Sequence, residues 1–306
     1  MHPHSQFRVG SRASPLALAQ AKLVANLMVK AGIAIKDTLS IKRITTTGDH
    51  LLDSHPSELR VKGLFTKEID NELLSGKIDM AVHSVKDLPA ILPSGLDLAC
   101  ILSREDPREV LFGAESISSL KKNAIVGTAS VRRKSQILNQ RPDISFINFR
   151  GNVQTRLRKI KEGKVDATLL AYAGLLRLGL DNQGGSVLET NEILPAPAQG
   201  VIGIVIRREN KVLKDQLSVI QDIVTAQAVG CERALLAAVD GSCRTPIAAL
   251  AKIDSDGSLI LKASLFSLDG AKRYDIKKIG LPDQGEEIGR NVGLELVRKA
   301  GGNFSK

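Results

Sequence analysis

Three groups of residues in this 306-residue chain have the types and spacing to do chemistry. The stretch HSVKDLP places His83, Ser84, Lys86 and Asp87 directly after an apolar run, in a loop stopped by Pro89. Loops at strand ends host binding and catalysis because a rigid sheet positions them. A carboxylate there, set among cationic groups, can donate and accept protons while its charge stabilises a developing cation. Arginines form the second group: Arg132, Arg133, Arg150, Arg156 and Arg177 recur where helices are expected to begin or just inside them. Guanidinium forks bind carboxylates bidentately, so several of them suit a polycarboxylate ligand. Arg158 and Lys159 read instead as solvated helix residues. The third group is a lone thiol, Cys243 in the polar stretch GSCRTP.

Composition narrows what these groups can serve. The three cysteines form no C-x-x-C pair and lie far in sequence from the five histidines, which argues against disulfide and zinc frameworks. Cys100 alternates like a strand residue and Cys231 lies on a helical pattern, so both read as small buried residues; Cys243 lacks that explanation. The net charge of +10 equals the excess within residues 121–164, where twelve Lys and Arg face only Asp143 and Glu162. So concentrated a field favours an anionic partner. Aromatic residues at 3%, no Trp and no recognised nucleic-acid motif turn that partner from nucleic acid toward a small anionic molecule. The opening residues carry no signal-like segment and no run of about 18 apolar residues follows, so a cytoplasmic protein without membrane contact is expected.

The elements that must hold these groups alternate. FRVG reads as a strand, followed by a helix with Ser14 as N-cap, Pro15 in the first turn and Gly32 as stop. LSIKRITT and KIDMAVHS read as strands around a helix in FTKEIDNELLSG. AIVG, ISFINF and KVDATLLA read as further strands, with helices through TASVRRKSQIL and RGNVQTRLRKIKEG between them. Such alternation predicts parallel or mixed sheets covered on both faces. The pair KGLFTKEIDNELLSGKIDMAV and RGNVQTRLRKIKEGKVDATLL, with the turns VGSRAS and VGTAS, forms an internal echo that predicts two similar α/β domains facing across a cleft. Arg12, Thr128, Ser130 and Arg150 then fall at the carboxyl edge of the strands, where helix N-termini offer free N–H groups. LPAPAQG, 194–200, reads as a hinge or linker. From Asp222 the pattern becomes a helix, three strand-like runs and a last helix with a capping box from Asp283 to Glu286.

These segments together resemble a family. SRASPLALAQ, TTGD, KGLFTKEI, HSVKDLP, REDPREV, VGTASVRRKSQI, RPD, RGNVQTRL, AGLLRLGL, LPAPAQG and GSCRTPIA stand in the order and at roughly the spacing of the porphobilinogen deaminases, also called hydroxymethylbilane synthases. The resemblance runs from Arg8 to the final helix. It implies two type II periplasmic-binding-protein-like α/β domains flanking a cleft, 1–101 with 200–218 and the arginine-rich 102–199. A smaller cofactor-carrying α+β domain with a three-stranded antiparallel sheet, 219–306, completes the chain. It also implies a dipyrromethane cofactor joined to Cys243 through a thioether, and head-to-tail condensation of four porphobilinogen molecules to hydroxymethylbilane with loss of ammonia. By that resemblance Asp87 is the catalytic carboxylate. Ser84, Lys86, Thr128, Ser130, Arg132, Arg133 and Arg150 bind the cofactor, and Arg12, Arg156, Arg177 and Gln199 bind substrate. The partners implied are porphobilinogen and its oligopyrrole intermediates, on a monomer without metal.

Two positions depart from the pattern: Ser242 stands where a second glycine is frequent, and Ala198 where glycine is common. Neither removes a reacting group. The physical reading agrees: porphobilinogen carries two carboxylates, so the growing product suits the cationic 121–164 segment, and a covalent anchor makes each condensation effectively intramolecular. A cysteine sulfur is nucleophilic enough to capture an electrophilic methylene-pyrrole. A non-catalytic two-domain anion-binding protein is the other reading, and it leaves Asp87 and Cys243 without roles.

Overall fold

The first helix begins where local chemistry puts it: Ser14 Oγ accepts from the Ala17 amide and Pro15, which has no N–H to lose, takes the first helical position. A computed structural model describes residues 6–50, 65–239 and 245–301. In chain order the elements are β1 (Phe7–Arg12), α1 (Pro15–Lys30), β2 (Leu39–Ile44), the single turn α2 (Thr47–His50), α3 (Lys67–Leu74), β3 (Met80–Ser84) and β4 (Leu96–Ile101). There follow β5 (Glu109–Phe112), β6 (Ile125–Gly127), α4 (Val131–Gln140), β7 (Ser145–Ile147), α5 (Val153–Lys161), β8 (Ala167–Ala171), α6 (Tyr172–Leu178) and β9 (Ser186–Leu188). The remainder is β10 (Ile202–Arg207), α7 (Lys211–Leu217), α8 (Ile223–Ala238), β11 (Ile247–Ile253), β12 (Leu259–Phe266), β13 (Arg273–Gly280) and α9 (Gly285–Ala300).

The chain divides into two compact units, Met1–Arg104 with Val201–Ala226 and Glu105–Gly200 with Gln227–Lys306. The first holds a mixed sheet in the order β2-β1-β3-β10-β4, in which β1 runs parallel to β2 and β3 and β10 runs antiparallel to β3 and β4. The central strands β3 and β10 are buried almost throughout, as expected where helices cover both faces. The second unit contains a sheet of the same design, β7-β6-β8-β5-β9, with β6 parallel to β7 and β8 and β5 antiparallel to β8 and β9. Gly10 opposite Ala81 and Gly127 opposite Thr168 hold matching places in the two sheets. The echo in the sequence is therefore a repeated topology.

The second unit also carries the antiparallel sheet β11-β12-β13, with α8 and α9 packed on it. At Gly289 the two helices touch backbone to backbone: a Cβ there would lie 2.0 Å from the Cys231 carbonyl oxygen. The outer strand β13 is exposed along most of its length and carries Lys277 and Lys278, which discourages pairing at that edge.

Three local expectations differ from the structure. Asp283 does not cap α9, because Pro282 starts a 3-10 turn over Pro282–Gln284 and the helix begins after it, with Gln284 as an N-cap that makes no side-chain bond. Arg177 sits in the last turn of α6, not at a helix start. Residues 194–200, read as a hinge or linker, end where the chain passes from one unit to the other after Gly200, but they are not a free linker: Leu194, Ala198 and Gln199 are buried. A buried backbone must find partners. Gln136 pairs with both the N–H and C=O of Leu194, the Ala249 amide of β11 donates to Pro195 O at 3.1 Å, and the Ala198 amide donates to Glu232. Ala198 has φ 60°, a conformation that costs a residue with a side chain roughly 1–2 kcal/mol, which is the physical reason glycine suits this position.

Candidate functional site

In the first unit the parallel strands β1 and β3 bring their carboxyl ends to one edge, beside the N-terminus of α1. Arg12 is the last residue of β1 and Ser84 the last of β3; a 3-10 turn, Val85–Asp87, then carries Lys86 half-buried and Asp87 exposed. Around them is a cavity of about 50 Å³ lined by Arg12, Ser14, Gln20, Phe65, Thr66, His83, Ser84 and Asp87 among others. The Arg12 guanidinium lies 4.4 Å from the centre of the Phe65 ring, a stacking that fixes its plane. Gln20 is buried and donates from Nε2 to Ser84 Oγ at 2.8 Å, which orients the hydroxyl.

His83 is buried in the same wall, and its Nε2 has no hydrogen-bond partner. Burial first, and the Arg12 charge second, push its pKa down to about 4. At neutral pH the ring is uncharged, so the cation of the pocket is Arg12. The first turn of α1 adds the backbone N–H of Leu16, since Pro15 has none and the Ala17 amide is taken by Ser14. Arg12 and that turn can hold a carboxylate, while Asp87 at the rim can face a cation. The arrangement suits a small molecule carrying both charges.

In the second unit the corresponding edge is cationic. After β6, the Ser130 amide donates to Thr128 Oγ1 at 3.1 Å, and Ser130 Oγ caps α4 by accepting from the Arg133 amide at 3.4 Å. Arg132 and Arg133 are 6% and 7% exposed and converge on Glu109 of β5, which is 0% exposed. Arg132 Nη2 donates to Glu109 Oε1 at 2.6 Å, and Arg133 donates from Nε and Nη2 to Oε1 and Oε2 at 3.1 and 2.7 Å. Arg132 Nη1 also donates to Leu194 O at 2.8 Å. Burial lowers the Arg132 pKa, and the Glu109 charge opposes the shift.

Arg150 follows β7, with Nε donating to Asn148 Oδ1 at 3.2 Å. Its neighbour Phe149 is buried against Gly127, where a Cβ would come within 2.6 Å of the ring. Lys159 is not the solvated residue its sequence suggests: Nζ donates to Arg150 O at 3.3 Å and stands 5.8 Å from the Phe149 ring centre. Arg158 is exposed, as expected, and pairs only along its own helix with Glu162 at 3.3 Å among the described residues. Arg156 Nε donates to Gly151 O at 2.8 Å, Arg177 Nη2 to Gly200 O, and the buried Gln199 Nε2 to Pro107 O at 2.8 Å.

Cys243 lies outside the described residues. The other two thiols are poor nucleophiles: Cys100 and Cys231 are fully buried, and burial pushes both pKa values up to about 12. Among the described residues no group of three or more His, Cys, Asp or Glu could hold a metal ion, and no helix is long and apolar enough to cross a membrane.

Sequence reasoning missed Glu109, Gln20, Phe65 and Glu232. A signal existed for two of them. Glu109 heads a strand, EVLF, that is otherwise apolar, and Glu232 interrupts the apolar pattern of α8; a charge in such a place needs a buried partner. Both carboxylates are 0% exposed, and Glu232 takes hydrogen bonds from the Ala198 and Ala251 amides.

Comparison with known proteins places two family models on the chain. "Porphobilinogen deaminase, dipyromethane cofactor binding domain" matches residues 7–215, and "Porphobilinogen deaminase, C-terminal domain" matches residues 226–298. A chloroplastic porphobilinogen deaminase of Oryza sativa subsp. japonica is 47% identical, over 98% of this chain and 86% of that protein. A porphobilinogen deaminase of Paracoccus denitrificans is 42% identical, over 99% and 97% respectively. Among solved structures, an ancestral arginine-binding protein is similar with a TM-score of 0.39 at 16% identity, covering 72% of this chain and 92% of that one.

Proposed function

The chain belongs to the porphobilinogen deaminase family, and on that premise we propose that it is a hydroxymethylbilane synthase, a transferase of tetrapyrrole synthesis. It joins four porphobilinogen molecules head to tail, releases ammonia at each joining and hydrolyses off the linear product. The reading takes the chain as three domains, 1–101 with 200–218, 102–199 and 219–306, acting as a monomer in the cytoplasm. One observation carries it: Asp87 stands at the rim of a pocket whose cation is the stacked Arg12. Porphobilinogen has the matching charges, two carboxylates and an aminomethyl group protonated at neutral pH. Arg12 and the first turn of α1 hold a carboxylate, Ser84 is oriented by Gln20 to add a hydrogen bond, and Lys86 adds positive charge at the rim. Asp87 then stabilises the cation that develops as ammonia leaves and accepts the proton released when the new bond has formed.

The family's cofactor domain spans the cationic edge of the second unit, and the residues there fit a dipyrromethane: Thr128, Ser130, Arg132, Arg133 and Arg150 offer hydroxyl and guanidinium donors for its carboxylates. When bound, the dipyrromethane supplies the pyrrole carbon to which the first substrate is joined. Cys243 is assigned as its anchor, supported by the protonated, buried state of Cys100 and Cys231. Arg156, Arg177 and Gln199 are assigned to substrate carboxylates.

The test uses intact mass and one variant. Purified protein should weigh more than its polypeptide by one dipyrromethane, and Asp87→Ala should keep that added mass while losing at least a hundredfold in turnover, about 2.7 kcal/mol of transition-state stabilisation. A bare polypeptide mass in active protein overturns the cofactor assignment. Near-normal turnover in the variant overturns the role of Asp87.

A further inference from the structure

A buried carboxylate in the middle of an arginine pair that is assigned to bind carboxylates is at first sight self-defeating. Glu109 is nevertheless 0% exposed and accepts from both guanidiniums, at 2.6 Å from Arg132 and at 3.1 and 2.7 Å from Arg133. Its backbone is fixed from both sides, paired with Ala171 of β8 and Leu188 of β9. The arginines it holds occupy the first turn of α4, a helix tied elsewhere by Gln136 to Leu194. Two guanidiniums at adjacent positions repel each other, and each carries several freely rotating bonds. Without an anion between them that repulsion would work against a defined place for either before a ligand arrives, with Arg132 still tied to Leu194 O at 2.8 Å.

We infer that Glu109 is the positioning residue of the dipyrromethane site: it fixes the Arg132 and Arg133 guanidiniums and leaves the trio with one net positive charge for the cofactor. The inference rests on the proposed assignment of those arginines to the cofactor. Glu109 touches neither cofactor nor substrate in this role. It acts by removing the repulsion and rotamer freedom that binding would otherwise have to overcome, as preorganised sites do. The shared carboxylate also explains why both arginines are buried yet still cationic toward a ligand: two positive charges meet one negative.

The experiment follows cofactor loading, not turnover. Apoprotein is prepared for the wild type and for Glu109→Gln, Glu109→Asp and Arg132→Gln, folding is checked by circular dichroism, and porphobilinogen is added. The gain of one dipyrromethane is then timed by intact mass. Glu109→Gln, which keeps the shape but not the charge, should load at least fivefold more slowly, and Glu109→Asp should recover to within about twofold of the wild type. If Glu109→Gln loads normally while Arg132→Gln is slow, the arginines serve the cofactor and the role of Glu109 is overturned. A Glu109→Asp as slow as Glu109→Gln points to packing and overturns it as well. If Arg132→Gln itself loads normally, the assignment of the arginines fails first and Glu109 falls with it. Should Glu109→Gln not fold, the double variant Glu109→Gln with Arg132→Gln removes one cation together with the anion; normal loading by that variant overturns the inference.

Discussion

The close helix crossing in the C-terminal part of the second unit makes a graded prediction. Gly285, Gly289 and Gly293 recur every four residues along α9 and face α8. A Cβ at Gly289 would stand 2.0 Å from Cys231 O, 2.9 Å from Cys231 C and 3.1 Å from Leu235 N, all backbone atoms of a buried helix. Ordinary contact begins at 3.4 Å, so the helices must part by about 1.4 Å, a strain at the upper end of the roughly 1–3 kcal/mol typical of overpacking. Alanine returns up to about 1 kcal/mol through its better helix propensity, which leaves Gly289→Ala about 2 kcal/mol less stable. At roughly 2–4 °C per kcal/mol for a unit of this size, its melting point should fall by about 6 °C. At Gly293 the nearest atoms are Ala238 Cβ at 2.7 Å and Leu235 O at 2.8 Å, and at Gly285 the side-chain end of Leu259, Cδ1, at 3.2 Å. Gly293→Ala should therefore lose less than Gly289→Ala, and Gly285→Ala should stay within about 0.5 kcal/mol of the wild type. Thermal unfolding by calorimetry and circular dichroism ranks the three variants. Gly289→Ala melting with the wild type, or a reversed order, refutes the reasoning. On the proposed assignment of Cys243 as the anchor the stake is functional, because α8 ends at Ala238, five residues before it.

Two further outcomes follow from the buried titratable groups. His83 has its pKa pushed down to about 4 in the folded chain, against about 6.5 unfolded, so between those values the unfolded chain takes up a proton that the native state refuses. Its stability contribution is present above pH 6.5 and lost as the pH falls toward 4. Urea unfolding should therefore show the wild type losing about 2.5 kcal/mol more than His83→Gln between pH 7.5 and pH 4.5, and parallel losses would refute a neutral buried His83. Cys100 and Cys231, both buried and raised to about 12, should resist iodoacetamide in the native protein at pH 8 and react fully in denaturant. Rapid native labelling of either, read by peptide mass mapping, would remove the argument that singles out Cys243.

What could be read in the sequence was what local chemistry writes locally. Ser14 and Pro15 mark the start of α1, short apolar runs mark β3 and β8, and the echoing segments predict two sheets that do share one strand order. The carboxyl-edge placement of Arg12, Ser84, Thr128, Ser130 and Arg150 follows from those strands and helices alone. What could not be read was partner choice across the chain. Arg132 finds Glu109 across 23 positions and Leu194 across 62, and no spacing rule announces either. The same holds for 194–200: proline and alanine suggest a linker locally, but Gln136, Glu232 and β11, distant in sequence, supply the bonds that bury it. Asp283 failed as a cap for a local reason, since Pro282 started a tighter turn first.

The repeated topology sharpens what the fold decides and what it leaves to side chains. In both sheets a serine caps the helix that follows the equivalent strand, Ser14 after β1 and Ser130 after β6. The fold thus sets out the same edge of strand ends and helix N-terminal N–H groups twice, each favourable to an anion. The side chains then diverge at matching registers. Opposite the end of β3 stands Ile202, while opposite the end of β8 stands Glu109; His83 faces Gly203, while Leu170 faces Val110. One frame consequently offers an acid at the rim of a pocket with a neutral imidazole in its wall, and the other a bank of arginines held by a buried carboxylate. The two copies carry nearly equal net charge, but in the second the cations are gathered in 121–164, where twelve Lys and Arg face two acids. That asymmetry suits the proposed function, in which one copy stabilises a cation and the other retains a polyanion.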